Sequence, residues 1–197
     1  MNLSLDEHYW TSRYLQNQIG WDVGQATFPI KQYLDQIDNK ELKVLIPGAG
    51  NAHEAAYALE LGFKNIHILD LSKYPLEKFI EKHPDFPASN LHHQDFFLHQ
   101  GKYDLIIEQT FFCALSPNQR IDYVKKMHQL LEKGGVLMGV LFNRHFELDG
   151  PPFGGDIDLY KSIFENHFEI ITLEPCYNSI PPRKGAEVFM DLRKKED

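Results

Sequence analysis

Two glycines, Gly48 and Gly50, flank Ala49 directly after one apolar run (Leu42 to Ile46) and directly before an amphipathic one (Ala52 to Leu61). Glycine at such a junction lets a ligand approach the backbone, and the helix that follows favours a carboxylate or phosphate at its start. Asp70 closes the next apolar run, 20 residues after Gly50, where a carboxylate accepts both hydroxyl protons of a ribose. Together they point to an adenosine-bearing ligand. Asp95 ends a third run and either accepts from an adenine amino group or caps a turn, and Gln109 stands in a similar place after a fourth. The third glycine of the dinucleotide fingerprint is replaced by His53, so the glycines alone also fit a tight turn kept for packing.

These residues need a scaffold that brings the ends of several strands together. From Leu42 onward short apolar runs alternate with amphipathic ones, the pattern of strand-helix-strand units feeding a mainly parallel sheet. Strands are predicted over Leu42 to Ile46, Asn65 to Leu71, Asn90 to Gln94, Tyr103 to Glu108 and Val136 to Asn143. Helices are predicted over Ala52 to Leu61, Tyr74 to Lys82 and Ile157 to Phe164. Another starts at the Ser116-Pro117-Asn118-Gln119 capping box and runs to Gly134-Gly135. His167 to Leu173 and Glu187 to Leu192 are too closely connected for a helical crossover and read as an antiparallel pair. Ahead of the sheet, Ser4 and Glu7 are spaced as a capping box before Tyr9, Trp10, Arg13 and Tyr14 on one helix, and Trp21 closes that segment.

At 197 residues the chain suits one domain, with residues 1–38 an N-terminal cover and 39–197 an α/β core. Acidic residues outnumber basic ones 28 to 20, a net charge of −8, which speaks against nucleic acid as a partner. No apolar run spans a bilayer, and the start Met1 to Glu7 has neither a basic flank nor a signal-like core, so a cytoplasmic monomer with no membrane partner is expected. Cys113 and Cys176 make neither a disulfide framework nor a metal cluster. His92 and His93 precede Asp95, but neighbours on a strand point to opposite faces, so no metal site is expected.

Just beyond the fourth strand, Phe111 and Phe112 are placed either to floor an acceptor pocket or to fill the core. Gly150-Pro151-Pro152-Phe153-Gly154-Gly155 is stiff in its middle and free at its ends, as suits a closing loop or an ordinary connection. Arg183 and Lys184 meet an anionic acceptor or form a solvated pair. Both NAD and S-adenosylmethionine fit the adenosine contacts. The latter is favoured by a glycine turn poorly matched to a pyrophosphate, by the antiparallel end of the chain, and by the lack of a second domain to present a hydride acceptor.

In this order the residues resemble the thiopurine S-methyltransferase family, and especially its thiol and halide methyltransferase branch. The resemblance spans nearly the whole chain. It is carried by Trp10 and Tyr14 ahead of Ile19-Gly20-Trp21-Asp22-Val23-Gly24, then by Leu45-Ile46-Pro47-Gly48-Ala49-Gly50, Leu69-Asp70-Leu71-Ser72 and Gln94-Asp95-Phe96. Phe111-Phe112-Cys113-Ala114-Leu115, Gly150-Pro151-Pro152-Phe153 and Ile180-Pro181-Pro182-Arg183-Lys184-Gly185 complete it. The resemblance implies a Rossmann-like methyltransferase fold, a mainly parallel seven-stranded sheet with one antiparallel strand, helices on both faces and an N-terminal helical cover. It implies a cofactor site built from Gly48, Asp70, Asp95, Phe96 and Gln109, closed over by Trp10, Tyr14 and Trp21; on spacing alone those aromatics also suit a helix packing its bulky face on the domain. The sequence departs from the branch at Gln109, where arginine or tyrosine is usual, and in carrying a tyrosine where the branch has a second tryptophan.

The expected activity is transfer of the S-adenosylmethionine methyl group, leaving S-adenosylhomocysteine, to a small soft nucleophile: a thiol first, then a halide, bisulfide or thiopurine. Such an in-line displacement needs alignment and water exclusion more than a catalytic base. The acceptor pocket is expected from Phe111, Phe112, Phe153 and Arg183. The alternatives are an NAD(P)-dependent oxidoreductase and a non-catalytic cofactor-binding module.

Overall fold

The computed structural model describes residues 4–147 and 150–196; residues 1–3 of the expected cover lie outside the described residues. The chain order is α1 (Glu7–Leu15), α2 (Phe28–Asp35), β1 (Lys43–Pro47), α3 (His53–Glu60), β2 (Asn65–Asp70), α4 (Lys73–Lys82), β3 (Leu91–His93) and β4 (Tyr103–Gln109). It continues with α5 (Arg120–Leu130), β5 (Leu131–Phe142), α6 (Ile157–Phe164), β6 (Phe168–Pro175) and β7 (Glu187–Lys194). The strands form one seven-stranded sheet in the order β3-β2-β1-β4-β5-β7-β6. Every neighbouring pair from β3 to β5 is parallel, while β7 runs antiparallel to both β5 and β6, so β7 is the single reversed strand of the expected fold.

Alternation along the central strands decides which helices cover which face. Val44 and Ile46 of β1, with Leu105 and Ile107 of β4, pack against Ile30 and Leu34 of α2, Ala55 and Ala58 of α3, and Leu76 and Phe79 of α4. Leu45 and Ile106 point the other way, onto Tyr123, Val124 and Met127 of α5 and Phe164 of α6. A parallel sheet covered on both faces needs apolar residues at consecutive positions, which is why β1 reads as an unbroken run.

Three local outcomes differ from expectation. Asp6, not Ser4, caps α1: its Oδ1 accepts the Tyr9 N–H at 2.9 Å, and Ser4 Oγ donates to its Oδ2. With the helix starting at Glu7 the cap falls to Asp6, whose carboxylate satisfies an orphan N–H and also complements the helix dipole. The Ser116 capping box does form, over a 3-10 turn at Pro117–Gln119, but α5 stops at Leu130 rather than at the glycines. Lys102 Nζ takes the Gln129 carbonyl at 2.7 Å and Lys194 Nζ that of Leu131 at 2.9 Å, so the last carbonyls are satisfied there while Leu131 pairs with Tyr103. Gly134, at φ +71°, then lets the strand bulge before Val136 meets Leu105. Finally, part of the stretch expected as cover is α2, started by Pro29 in its first turn and with Ile30 and Leu34 fully buried. Among the described residues no helix is long and apolar enough to cross a membrane.

Candidate active site

A cavity of about 860 Å³ opens at the carboxyl ends of β1, β2 and β4. Its floor begins at the turn between β1 and α3. Gly48 has φ +59°, and a Cβ there would stand 2.3 Å from the ring of Phe111, so only glycine lets the two segments meet. Gly50 does not line the cavity. Its N–H instead donates to Asp70 Oδ2 at 2.8 Å, and the Tyr14 hydroxyl lies 2.8 Å from where its Cβ would be. Asp70 Oδ1 accepts the Ser72 N–H at 2.8 Å. Burial pushes the Asp70 carboxyl up to about 6 despite these two bonds, each of which leaves its oxygen a second lone pair on a side chain that borders the cavity.

The aromatics of the N-terminal arm close the top. Trp10 meets Trp21 edge to face with centroids 5.6 Å apart, Tyr14 meets Trp21 in the same way at 5.7 Å, and all three line the cavity. Burial, and after it the nearby Asp70 carboxylate, pushes the Tyr14 hydroxyl up. The arm is fastened by Asp22, which accepts from His53 Nε2 at 2.9 Å, from Asn51 Nδ2 and from the Gly24 N–H at 2.6 Å. Burial alone would raise the Asp22 carboxyl, but these bonds outweigh it and hold it down at about 2. His53, which breaks the glycine fingerprint, thus serves as a latch. In the sequence the only signal for this latch is Asp22 beside Trp21 in the Ile19-Gly20-Trp21-Asp22-Val23-Gly24 stretch.

On the far side of β2, Asp95 lines the cavity and also caps the 3-10 turn Phe96–Leu98 by accepting the Phe97 N–H at 2.8 Å. Phe96 presents its buried ring edge to face with Phe111, centroids 5.1 Å apart. Gln109 is not in the cavity wall: its Oε1 accepts from Thr27 Oγ1 at 2.9 Å, which ties β4 to the chain ahead of α2. His92 and His93 take different partners, His67 and Glu7, and among the described residues no group of three or more His, Cys, Asp or Glu is arranged to hold a metal.

After β4 the backbone turns through Thr110, at φ +59°, and the two phenylalanines part company. Phe111 faces the cavity, whereas Phe112 is 1% exposed and packs on Tyr123 and Tyr160 with the Arg120 guanidinium over its ring. Burying such a ring is worth roughly 1.5–3 kcal/mol, so the core claims Phe112. Phe153 does not line the cavity either. Its N–H donates to the Cys113 carbonyl at 2.7 Å, and its neighbours Pro151 and Pro152 supply the wall. The loop is pinned after Phe153: Arg120 Nη2 donates to the Gly154 carbonyl at 2.6 Å and the Gly155 N–H to that of Arg144 at 3.0 Å. Gly154 and Gly155 therefore serve close approach, since a Cβ would stand 1.7 Å from the Arg144 oxygen or 2.6 Å from the Tyr160 hydroxyl. Arg183 is buried and lines the cavity. Its Nη2 donates to the Trp21 carbonyl at 2.7 Å and its Nη1 stands 3.4 Å from Glu187, so it is no solvated partner of the exposed Lys184.

Comparison with known proteins identifies this architecture. The family model described as thiopurine S-methyltransferase matches residues 5–191. The probable thiol methyltransferase 2 of Arabidopsis thaliana is 28% identical over 184 residues, which cover 90% of this chain and 81% of that one. Thiocyanate methyltransferase 1 of the same plant is 26% identical over 193 residues, 95% of this chain and 85% of its own. Among solved structures, the 1,6-didemethyltoxoflavin-N1-methyltransferase of Burkholderia thailandensis, determined with S-adenosylhomocysteine, superposes with a TM-score of 0.74 at 18% identity, covering 96% of this chain and 87% of that one. The family match decides between the two adenosine-bearing cofactors and against the oxidoreductase reading. From its seven-stranded sheet to that near-complete match, the chain belongs to the thiopurine S-methyltransferase family and takes S-adenosylmethionine as its methyl donor.

Proposed function

We propose that the cavity hands the methyl group to a small soft nucleophile, a thiol first, with thiocyanate, halide, hydrosulfide or thiopurine as further acceptors. One observation carries the reading: a single cavity borders both Gly48, Asp70, Asp95 and Phe96 and, beside them, Phe111, Cys113, Pro151, Pro152 and Arg183. The first set fits the donor. Asp70 is a nine-tenths-buried carboxylate with lone pairs left for ribose hydroxyls, Asp95 suits the adenine amino group, and Gly48 brings bare backbone to the same wall. When bound, S-adenosylmethionine supplies an electrophilic methyl group on a sulfonium.

The remaining work falls to the chain's own side chains. Trp10, Tyr14 and Trp21 shut out water and offer aromatic faces worth roughly 0.5–2 kcal/mol to a cation. Phe111, Pro151 and Pro152 form an apolar wall that leaves an attacking anion poorly hydrated, while the Arg183 guanidinium draws it in. A thiol needs only its thiolate fraction, and thiocyanate needs no deprotonation, so alignment dominates the catalysis. Gly50 acts through its bond to Asp70, and Gln109 through Thr27. The enzyme works as a cytoplasmic monomer on small molecules without nucleic acid or membrane partners; the net charge of −8 supports the exclusion of nucleic acid.

The test is S-adenosylhomocysteine formation across thiocyanate, iodide, hydrosulfide, alkyl and aromatic thiols, a thiopurine and an oxygen nucleophile. Turnover confined to soft acceptors is expected. Turnover with the oxygen nucleophile alone, or with none while S-adenosylhomocysteine binds, refutes the acceptor class.

A further inference from the structure

Glu108 is fully buried at the carboxyl end of β4 and does not border the cavity, yet its carboxylate gathers donors from two different segments. Oε1 accepts the N–H of Phe111 at 2.7 Å and of Phe112 at 2.9 Å, and Oε2 accepts the Tyr123 hydroxyl of α5. Between Glu108 and these N–H groups lies Thr110, whose φ of +59° is unfavourable for a β-branched residue and needs outside restraint. The restraint extends further. Cys113 Sγ donates to the Thr110 carbonyl at 3.2 Å, and the Cys113 carbonyl accepts the Phe153 N–H at 2.7 Å, which joins the segment to the Pro151-Pro152 wall. Gly139 of β5, paired with Glu108, runs so close to it that a Cβ there would stand 2.0 Å from the Glu108 carbonyl oxygen, so only glycine fits beside the strand end.

A buried carboxylate is expensive unless its lone pairs are used. Here they are spent on the short segment that carries Phe111 and Cys113 into the cavity. We propose that Glu108 is a positioning residue for methyl transfer: by accepting the Phe111 and Phe112 N–H groups and the Tyr123 hydroxyl, it fixes the Phe111–Cys113 wall against which the acceptor is aligned, without touching donor or acceptor. The inference rests on the reading of that wall as the acceptor side.

Two cysteines provide an internal comparison, because Cys113 lies on the held segment and Cys176 lies elsewhere, and both are buried. Iodoacetamide labelling of each, read by peptide mass spectrometry, is measured beside S-adenosylhomocysteine affinity and kcat/KM for thiocyanate and a small alkyl thiol. In Glu108→Ala, Cys113 labelling is expected to rise about tenfold relative to Cys176 and kcat/KM to fall about tenfold, with S-adenosylhomocysteine affinity within about twofold of wild type. Glu108→Gln keeps a carbonyl for both N–H groups and an amide that donates to Tyr123, so it should return both readouts to within about threefold of wild type. Equal rises at both cysteines, unchanged Cys113 labelling, or a glutamine variant as damaged as the alanine variant would overturn the proposal. If Glu108→Ala does not fold, Tyr123→Phe removes one donor and keeps the ring; a roughly threefold rise at Cys113 alone supports the proposal and no rise overturns it. A wild type silent toward both acceptors, with the cysteine pattern as described, removes the reaction reading and leaves the hold by Glu108 supported.

Discussion

Arg183 Nη2 donates to the main-chain carbonyl of Trp21 at 2.7 Å, so the turn ahead of the reversed strand holds the end of the N-terminal arm. The same guanidinium stands 3.4 Å from Glu187 and 5.5 Å from the centroid of the Phe142 ring. A lysine ammonium is a point charge and cannot serve the carbonyl, the carboxylate and the ring from one plane. Arg183→Lys is predicted to lower acceptor kcat/KM by about tenfold and to weaken S-adenosylhomocysteine binding less. Calorimetric titration beside initial-rate kinetics decides this; equal losses in both would mean that Arg183 serves the cover alone.

Gly48→Ala places a methyl group in a left-handed backbone and against the Phe111 ring at 2.3 Å. The two penalties together are expected to cost about 2–4 kcal/mol of stability and most of the cofactor affinity. Urea unfolding and S-adenosylhomocysteine titration check it. A variant of wild-type stability would mean that Phe111 swings aside freely.

Asp70→Ala removes the acceptor for the Gly50 and Ser72 N–H groups as well as the proposed ribose contact. S-adenosylhomocysteine affinity should fall at least about tenfold. An unchanged dissociation constant in a folded variant would refute the ribose assignment.

Acid should loosen the region behind Asp95. His67 of β2 and His92 of β3 stack with His67 Nδ1 3.0 Å from His92 Nε2, and His99 Nε2 pairs with Tyr103 at 2.7 Å. Burial first, then the charges of neighbouring histidines and of Lys43, with Lys126 also near His99, pushes His67 and His99 down to about 4. Their folded values lie below the unfolded one near 6.5, so the unfolded chain binds protons first, and the stability they contribute is lost as pH falls from about 6.5 toward 4. Each contributes a slope of up to about 1.4 kcal/mol per pH unit in that window. Urea unfolding at pH 7 and pH 5 should show a smaller acid loss in His99→Gln than in wild type; an identical loss would place the sensitivity elsewhere.

Much of the scaffold was legible because β1 and β2 are buried on both faces and must read as apolar runs, and because Asp70 punctuates the end of one. Helix α6 was legible to its ends, Ile157 and Phe164, its Asp156 cap lying just outside. Helix α2 was not, since eight residues begun by Phe28-Pro29 carry too few periods to stand out from a loop. The end of α5 was misplaced because the residues that stop it, Lys102 and Lys194, lie far off in sequence.

The site divides along the same line. Gly48, Asp70 and Asp95 stand where strand ends put them, so their place in the cavity wall follows from position, whereas Phe96 follows only from the family resemblance. Phe111 and Phe112 are chemically identical neighbours, and the turn at the left-handed Thr110, the bonds to Glu108 and the packing of Phe112 on Tyr123 and Tyr160 separate the ring in the core from the ring at the cavity. Position after β4 points Gln109 toward the cavity and the resemblance points Phe153 there, but their bonds to Thr27 and to Cys113 turn them to other tasks. Those partners are long-range, so no local pattern announces them.

Helix α1 buries none of its residues, and among its ties to the core are the Thr11–Ser72 and Glu7–His93 contacts at its own level and the Asp22 and Arg183 bonds beyond its end. Its apolar anchorage is the half-buried Trp10 and Tyr14 packed on Trp21 and Tyr74, less than any central strand has, so the segment opens at less energy than unfolds the sheet. Its amides are therefore predicted to exchange with solvent before those of β1 and β4, and if the arm is the cover of the proposed donor site, donor arrival and product departure need only local breathing there while the sheet stays folded.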